Sequence, residues 1–149
     1  MPKNLPINTL IELAQEELDA ATKKLGKLQQ ERNEAEKQLE SLVAYRDEYH
    51  ARFTASAQQG TTAQTLRNFQ AFVDTLDSAI AQQRMLLVTA DQRIEAAKPE
   101  WRLKKQKVGS YEVLAARGEA VLARKAARVE QREADEHAAK VLRMRAERA

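Results

Sequence analysis

Residues 66–129 read LRNFQAFVDTLDSAIAQQRMLLVTADQRIEAAKPEWRLKKQKVGSYEVLAARGEAVLARKAARV. Counting alternately three and four residues through this stretch gives Leu66, Phe69, Val73, Leu76, Ile80, Gln83, Leu87, Ala90, Ile94, Ala97, Trp101, Lys104, Val108, Tyr111, Ala115, Gly118, Leu122, Lys125 and Val129. These positions hold one heptad phase, and only Gln83, Lys104, Gly118 and Lys125 are not apolar. A 3.5-residue repeat sustained over such a length marks a coiled-coil seam; the apolar face of a globular-core helix would be wider. A seam needs a partner, and the upstream chain carries one. Ile11, Ala14, Leu18, Ala21, Leu25, Leu28, Arg32, Ala35, Leu39, Leu42, Arg46, Tyr49 and Phe53 form a second heptad, with Arg32 and Arg46 as its polar members. Polar residues in a seam lower stability and fix register or orientation.

Between the two heptads, residues 56–62 (Ser-Ala-Gln-Gln-Gly-Thr-Thr) break the pattern. Gly60 suits the left-handed residue that follows a helix, and Thr61 with Gln64 reads as a capping box opening the next one. So short a connection makes the two helices antiparallel neighbours; the alternative is an internal loop in a parallel dimer. The expected architecture is therefore all-α: one coiled-coil domain over 1–149, a long antiparallel two-helix hairpin. The first helix covers about 5–55, the turn about 56–62 and the second helix about 63–140. Its start is open between Asn4 and Thr9, because Pro6 is tolerated in a first turn and Thr9 with Glu12 makes another capping box. Pairing a against d places residue i opposite about 115 − i or about 122 − i, and the heptads alone do not choose. In both registers the first helix ends near residue 115 of the second, which continues alone for about 30 residues, roughly 45 Å. Such an overhang is marginal in water and either frays or is held by a partner. Pro99 falls inside the second helix, yet the heptad phase passes through it, so the expectation is a kinked but continuous helix.

Composition narrows the function. Charged residues make up 32% of the chain and there are no cysteines, which excludes a disulfide framework and thiol chemistry. No apolar run approaches the ~18 residues of a membrane span. Glu12, Glu16 and Glu17 stand where a signal peptide needs an apolar segment, so the expected location is cytoplasmic. The formal charge of +3 is concentrated in the last 33 residues, which hold nine Lys/Arg and six Asp/Glu. Six acids among nine bases argue against nucleic acid as the partner. His50 and His137 are far apart in sequence and read as surface histidines, and no phosphate loop, metal-ligand motif or nucleophile–base arrangement is present. No enzyme activity, cofactor, metal or small-molecule substrate is therefore expected.

One surface feature does point outward. The flanking positions Gln38, Tyr45, Phe72 and Ala79 lie beside the seam residues Leu42, Tyr49, Leu76 and Gln83, on one side of an antiparallel pair. Tyr45, Phe72 and Leu86 are large and apolar where flanking positions usually carry charge, which suggests a protein interface toward the turn.

These residues also resemble a known family. Leu42-Val43-Ala44-Tyr45-Arg46-Asp47-Glu48-Tyr49, then Asn68-Phe69-Gln70-Ala71-Phe72-Val73-Asp74-Thr75-Leu76-Asp77-Ser78-Ala79-Ile80 after the turn, is similar to the FliJ family of the flagellar type III export apparatus. The likeness extends to Leu13-Ala14, Leu25-Gly26 and Trp101-Arg102-Leu103-Lys104-Lys105-Gln106-Lys107. It implies an antiparallel coiled coil like the central stalk of rotary ATPases, acting in the cytoplasm at the inner-membrane export apparatus. The implied partners are a hexameric export ATPase whose assembly it promotes, the cytoplasmic domain of the export gate, and export chaperones that it escorts. It also implies that Gln38, Leu42, Tyr45, Tyr49, Phe72, Leu76, Ala79 and Gln83 meet the gate, Gln83 standing where some relatives have histidine. Pro99 stands where relatives usually have another residue. The basic residues Arg117, Arg124, Lys125 and Arg128 are the candidate ATPase contacts, steering into an acidic-lined pore. Other readings are an injectisome counterpart, or an unrelated tether whose basic tail binds nucleic acid. Retention on immobilised DNA tests the tether, and loss of motility on deletion supports the flagellar reading.

Overall fold

The computed structural model describes residues 6–148. Two helices account for the described chain: α1, Ile7–Ala57, and α2, Ala63–Arg148. They pack against each other as a helical hairpin. By contacts the chain forms two compact units, Leu18–Leu103 on one hand and Met1–Glu17 with Lys104–Ala149 on the other.

In the Leu18–Leu103 unit, the heptad positions other than Leu66 are withdrawn from solvent. Phe69, Leu76, Ile80, Ile94 and Ala97 are buried on α2, and Ala21 is buried on α1. Ile80 is the most deeply enclosed large side chain, 1% exposed. Partial burial of the remaining heptad residues is what two helices alone can achieve, since each is open to water on its outer face.

The register is read from the cross-helix contacts. Phe53 stacks on Phe69, Gln83 hydrogen-bonds to Gln38, Arg32 to Asp91, and Lys24 to Glu100. All of these place residue i opposite about 122 − i. The other expected register is a slip of one heptad, about 10 Å along the axis. It would set Phe53 against Thr62, inside the connection, and would carry Arg32 and Arg46 away from Asp91 and Asp77. Turn position and charge thus select what the heptads leave degenerate. The two seam arginines act as register pins: Arg32 bonds Asp91 at 3.0 Å and also pairs with Glu36, and Arg46 bonds Asp77 at 3.3 Å. Ion pairs this exposed contribute about 0–1 kcal/mol each, so they do more for specificity than for total stability.

The turn is shorter than expected, because α1 runs to Ala57. Gly60 takes the left-handed conformation (φ 102°), as its position after a helix requires, and its N–H donates to the Ala57 carbonyl at 3.0 Å. The cap of α2 lies one residue later than the capping-box reading placed it. Thr62, not Thr61, accepts the Thr65 N–H at 3.1 Å, and the Thr65 hydroxyl rather than Gln64 completes the motif. Gln64 instead bonds Asn68 and Arg67 along the helix. Leu66, expected as the first seam residue of α2, is 41% exposed, so the seam on α2 begins at Phe69, one turn inside the helix.

α2 passes through Pro99 without a break. Pro99 faces solvent, and so does Glu95, whose carbonyl loses its usual N–H partner four residues on. Water can satisfy that carbonyl, which is why the proline is accommodated there. Just beyond it, Trp101 donates to the Thr22 hydroxyl at 3.0 Å, and that hydroxyl donates to the Leu18 carbonyl at 2.8 Å.

In the other unit, α1 begins at Ile7 with the Pro6 carbonyl accepting the Leu10 N–H at 3.2 Å. Thr9 is thus inside the first turn and not its cap, while Asn4 lies outside the described residues. Ala14 and Val108 are buried, and Glu17 receives bonds from Lys104 (3.1 Å) and Lys107 (3.4 Å). Tyr111 and Ala115 are the last half-buried seam residues. From Ala116 to Lys140 every residue of α2 is exposed. The helix nevertheless extends to Arg148, eight residues past the expected end.

Candidate functional site

At the turn end of the Leu18–Leu103 unit, five Phe and Tyr rings meet, with the His50 imidazole beside them. Phe53 and Phe69 stack with centroids 3.8 Å apart, and Tyr49 lies against Phe69 at 5.4 Å. Tyr49 also meets Phe72 edge-on at 4.6 Å, and Tyr45 reaches Phe72 at 6.2 Å. Edge-on and offset pairs of this kind add about 0.5–1.5 kcal/mol each beyond area burial. The seam residues Tyr49, Phe53 and Phe69 form the centre of the cluster, the flanking residues Tyr45 and Phe72 widen it, and the register sets the two helices' rings against each other.

The eight residues of the proposed stripe occupy different depths. Tyr45 and Phe72 are exposed (50% and 36%) and touch each other. Leu42, Tyr49 and Ala79 are half-buried beside them. Leu76 and Gln83 are in the seam, at 8% and 9%. Gln83 is nonetheless joined to the surface, because its amide donates to the Ala35 carbonyl (3.1 Å) and to the side-chain oxygen of exposed Gln38 (3.2 Å). A buried amide in an apolar seam needs such partners, and here α1 supplies both. Gln38, Leu42 and Gln83, with Lys37 and Ser41, line a shallow groove. Leu86, one heptad beyond Ala79, is also exposed and extends the apolar strip.

Two surface features were not legible as such in the sequence. His50, read as a plain surface histidine, sets its ring edge-on to Phe69 at 5.1 Å. The available signal was its place three residues before Phe53, the stacking partner of the same ring. Met85 and Val88 form an exposed apolar patch with Arg84, Thr89 and Gln92. They lie off the heptad, on a face that the periodicity leaves unassigned.

The four basic candidates Arg117, Arg124, Lys125 and Arg128 are all on the solvent-exposed part of α2. Arg117 also borders an apolar groove between Ile7, Asn8 and the 114–122 stretch of α2, where α1 begins. Among the described residues, every ion pair lies between Glu17 and Lys107, so these four cations form none. Glu17 is held below the usual carboxylate range by hydrogen bonds from Lys104 and then Lys107, and by their charge. Arg32 is held more firmly protonated by its bond to Asp91.

Comparison with known proteins bears on both surfaces. A family model described as Flagellar FliJ protein matches residues 3–147. The chain belongs to the FliJ family. Its relatives in that family include the flagellar FliJ protein of Salmonella typhi, 32% identical over 138 residues that cover 93% of this chain and 94% of that protein. The flagellar FliJ protein of Escherichia coli (strain K12) is 31% identical over the same length and the same shares. The FliJ match takes in the aromatic cluster and the exposed end of α2 together. No helix among the described residues is long and apolar enough to cross a membrane.

Proposed function

We propose that this protein is a non-enzymatic component of the flagellar type III export apparatus. It promotes assembly and activity of the hexameric export ATPase, acting as its stalk. It links that ATPase to the cytoplasmic domain of the export gate and escorts export chaperones, on the cytoplasmic side of the inner membrane. The observation that carries the reading is the presence, within one FliJ-family chain, of an exposed aromatic strip beside the turn and of a long exposed stretch of α2 beyond Ala115. Two partners can then be held at once.

The gate meets the strip chiefly through Tyr45, Phe72 and Gln38, the exposed members, with half-buried Leu42, Tyr49 and Ala79 beside them. Leu76 and Gln83 contribute by holding α1 and α2 in the register that sets those side chains together. Covering the exposed half of a Tyr or Phe side chain is worth about 1 kcal/mol, or about fivefold in affinity per ring. The ATPase is met by α2 beyond residue 116, with Arg117, Arg124, Lys125 and Arg128 assisting approach by charge, an effect that weakens with salt.

The test is genetic and biochemical. Deletion of the gene abolishes swimming and export of flagellar subunits, and the intact chain restores both. The double variant Tyr45→Ala/Phe72→Ala restores them poorly while retaining the helical content of the parent. Full motility in the deletion strain contradicts the reading, and full rescue by the double variant removes the strip from it.

A further inference from the structure

The exposed end of α2 is not uniformly basic. From Arg117 to Arg128 there are four bases and one acid, from Glu130 to Glu136 four acids and one base, and from Lys140 to Arg148 four bases and one acid. Three bands of net +3, −3 and +3 therefore follow one another on one helix. Their centres are about eleven residues, or roughly 16 Å, apart. At physiological ionic strength charges are screened over about 8 Å, so a partner senses each band separately and not their sum.

The bands are also unspent. All ion pairs among the described residues belong to the paired part of the hairpin, between Glu17 and Lys107, where charges on the two helices are matched across the seam. Beyond it, Glu136 and Lys140 stand four apart, in the favourable order for a helical ion pair, and form none. In the acidic band the one side-chain bond is Gln131 to Asp135 at 3.0 Å. Val121, Leu122, Val129 and Leu142 remain open to solvent along the same length.

We propose that the tail is read by a protein sheath carrying three complementary tiers: acidic around residues 117–128, basic around 130–136, acidic around 140–148. The inference rests on the proposed role with the export ATPase and makes the pore tiered instead of uniformly acidic. The acidic band then sets axial depth. Sliding the tail by one band places like charge on like charge at the two tiers that still overlap it, which a uniformly acidic wall would not penalise. A nucleic acid is not the occupant, because the −3 band would face phosphate.

The experiment measures association of the full-length chain with the organism's purified flagellar export ATPase across a salt series. Three variants are compared with the parent. One reverses the acidic band (Glu130→Lys, Glu133→Lys, Asp135→Lys, Glu136→Lys). One transposes charge at constant net value (Arg124→Glu, Lys125→Glu, Arg128→Glu with Glu130→Lys, Glu133→Lys, Glu136→Lys). The mildest, Arg132→Glu, completes the acidic band and keeps a good helix former. The tiered sheath predicts about tenfold or greater weakening for the first two at low salt and tighter binding for Arg132→Glu, all converging as salt rises. Tighter binding on reversal of the acidic band, with weaker binding of Arg132→Glu, overturns the tiers while leaving the ATPase role standing. Indifference to all three does the same. Absence of binding by the parent chain overturns the ATPase role and the tiers with it.

Discussion

A cysteine pair tests the register most sharply, because the chain has no cysteine of its own to interfere. The offset of about 122 makes Leu28 and Ile94 seam partners, whereas a one-heptad slip would make Leu28 the partner of Leu87. Oxidising Leu28→Cys/Ile94→Cys should therefore close an intramolecular disulfide spanning about 65 residues, and the chain-entropy relation gives about 4 kcal/mol of stabilisation over the reduced form. Ile94 is 6% exposed, so the two truncations lower the stability of the reduced protein by about 2–4 kcal/mol, and oxidation should roughly restore it. Urea unfolding followed by circular dichroism, with and without reductant, measures the difference. Leu28→Cys/Leu87→Cys should stay reduced or cross-link only between molecules. An intramolecular bond in the 28/87 pair and none in the 28/94 pair would refute the register, and with it the placement of Tyr45 against Phe72.

Other outcomes follow from the same geometry. Ile80→Ala, at the most enclosed large side chain, should cost about 2–4 kcal/mol in urea unfolding, whereas Val129→Ala, 50% exposed, should cost under about 0.5 kcal/mol; equal costs would mean that residue 129 is packed as tightly as the seam. Pro99→Ala should stabilise by about 1–3 kcal/mol, by restoring an N–H where Glu95 offers its carbonyl; a loss of stability would show that the proline is needed for the path of α2. Glu17 titrates below its usual 4.5, so the stability it lends is complete above that pH and disappears as pH falls through the lowered value. Glu17→Gln should accordingly flatten the fall in melting temperature as pH drops below about 4.5, and an unchanged slope would remove the Lys104 and Lys107 bonds from the account.

The heptads made the seam legible residue by residue, because a two-helix interface has only one face to bury and periodicity measures that face directly. Every expected α1 position from Ile11 to Phe53 is buried or half-buried, as are the α2 positions from Phe69 to Ala115. The register was not legible, because a slip of seven residues preserves a-against-d pairing; contacts such as Arg46 with Asp77 and Phe53 with Phe69 remove the degeneracy. The cap moved from Thr61 to Thr62 because adjacent threonines offer the same chemistry, and the sequence pattern does not distinguish them. Stripe depth was hidden for a related reason. Period alone names Leu76 and Gln83 as neighbours of Tyr45 and Phe72, but only the packed structure shows the first two enclosed and the last two open. The continuity through Pro99 could be anticipated from the unbroken phase, and the exposed position of Pro99 and Glu95, where water can replace the lost hydrogen bond, supplies its physical reason.

The most direct test of the account is ATP hydrolysis by the organism's purified flagellar export ATPase, titrated with the full-length chain and with the chain cut after Ala116. The account predicts stimulation by the full chain and its loss on truncation, because the contact lies on the exposed end of α2. Stimulation by both would move that contact onto the paired helices, and stimulation by neither, at concentrations where the ATPase forms rings, would contradict the central claim.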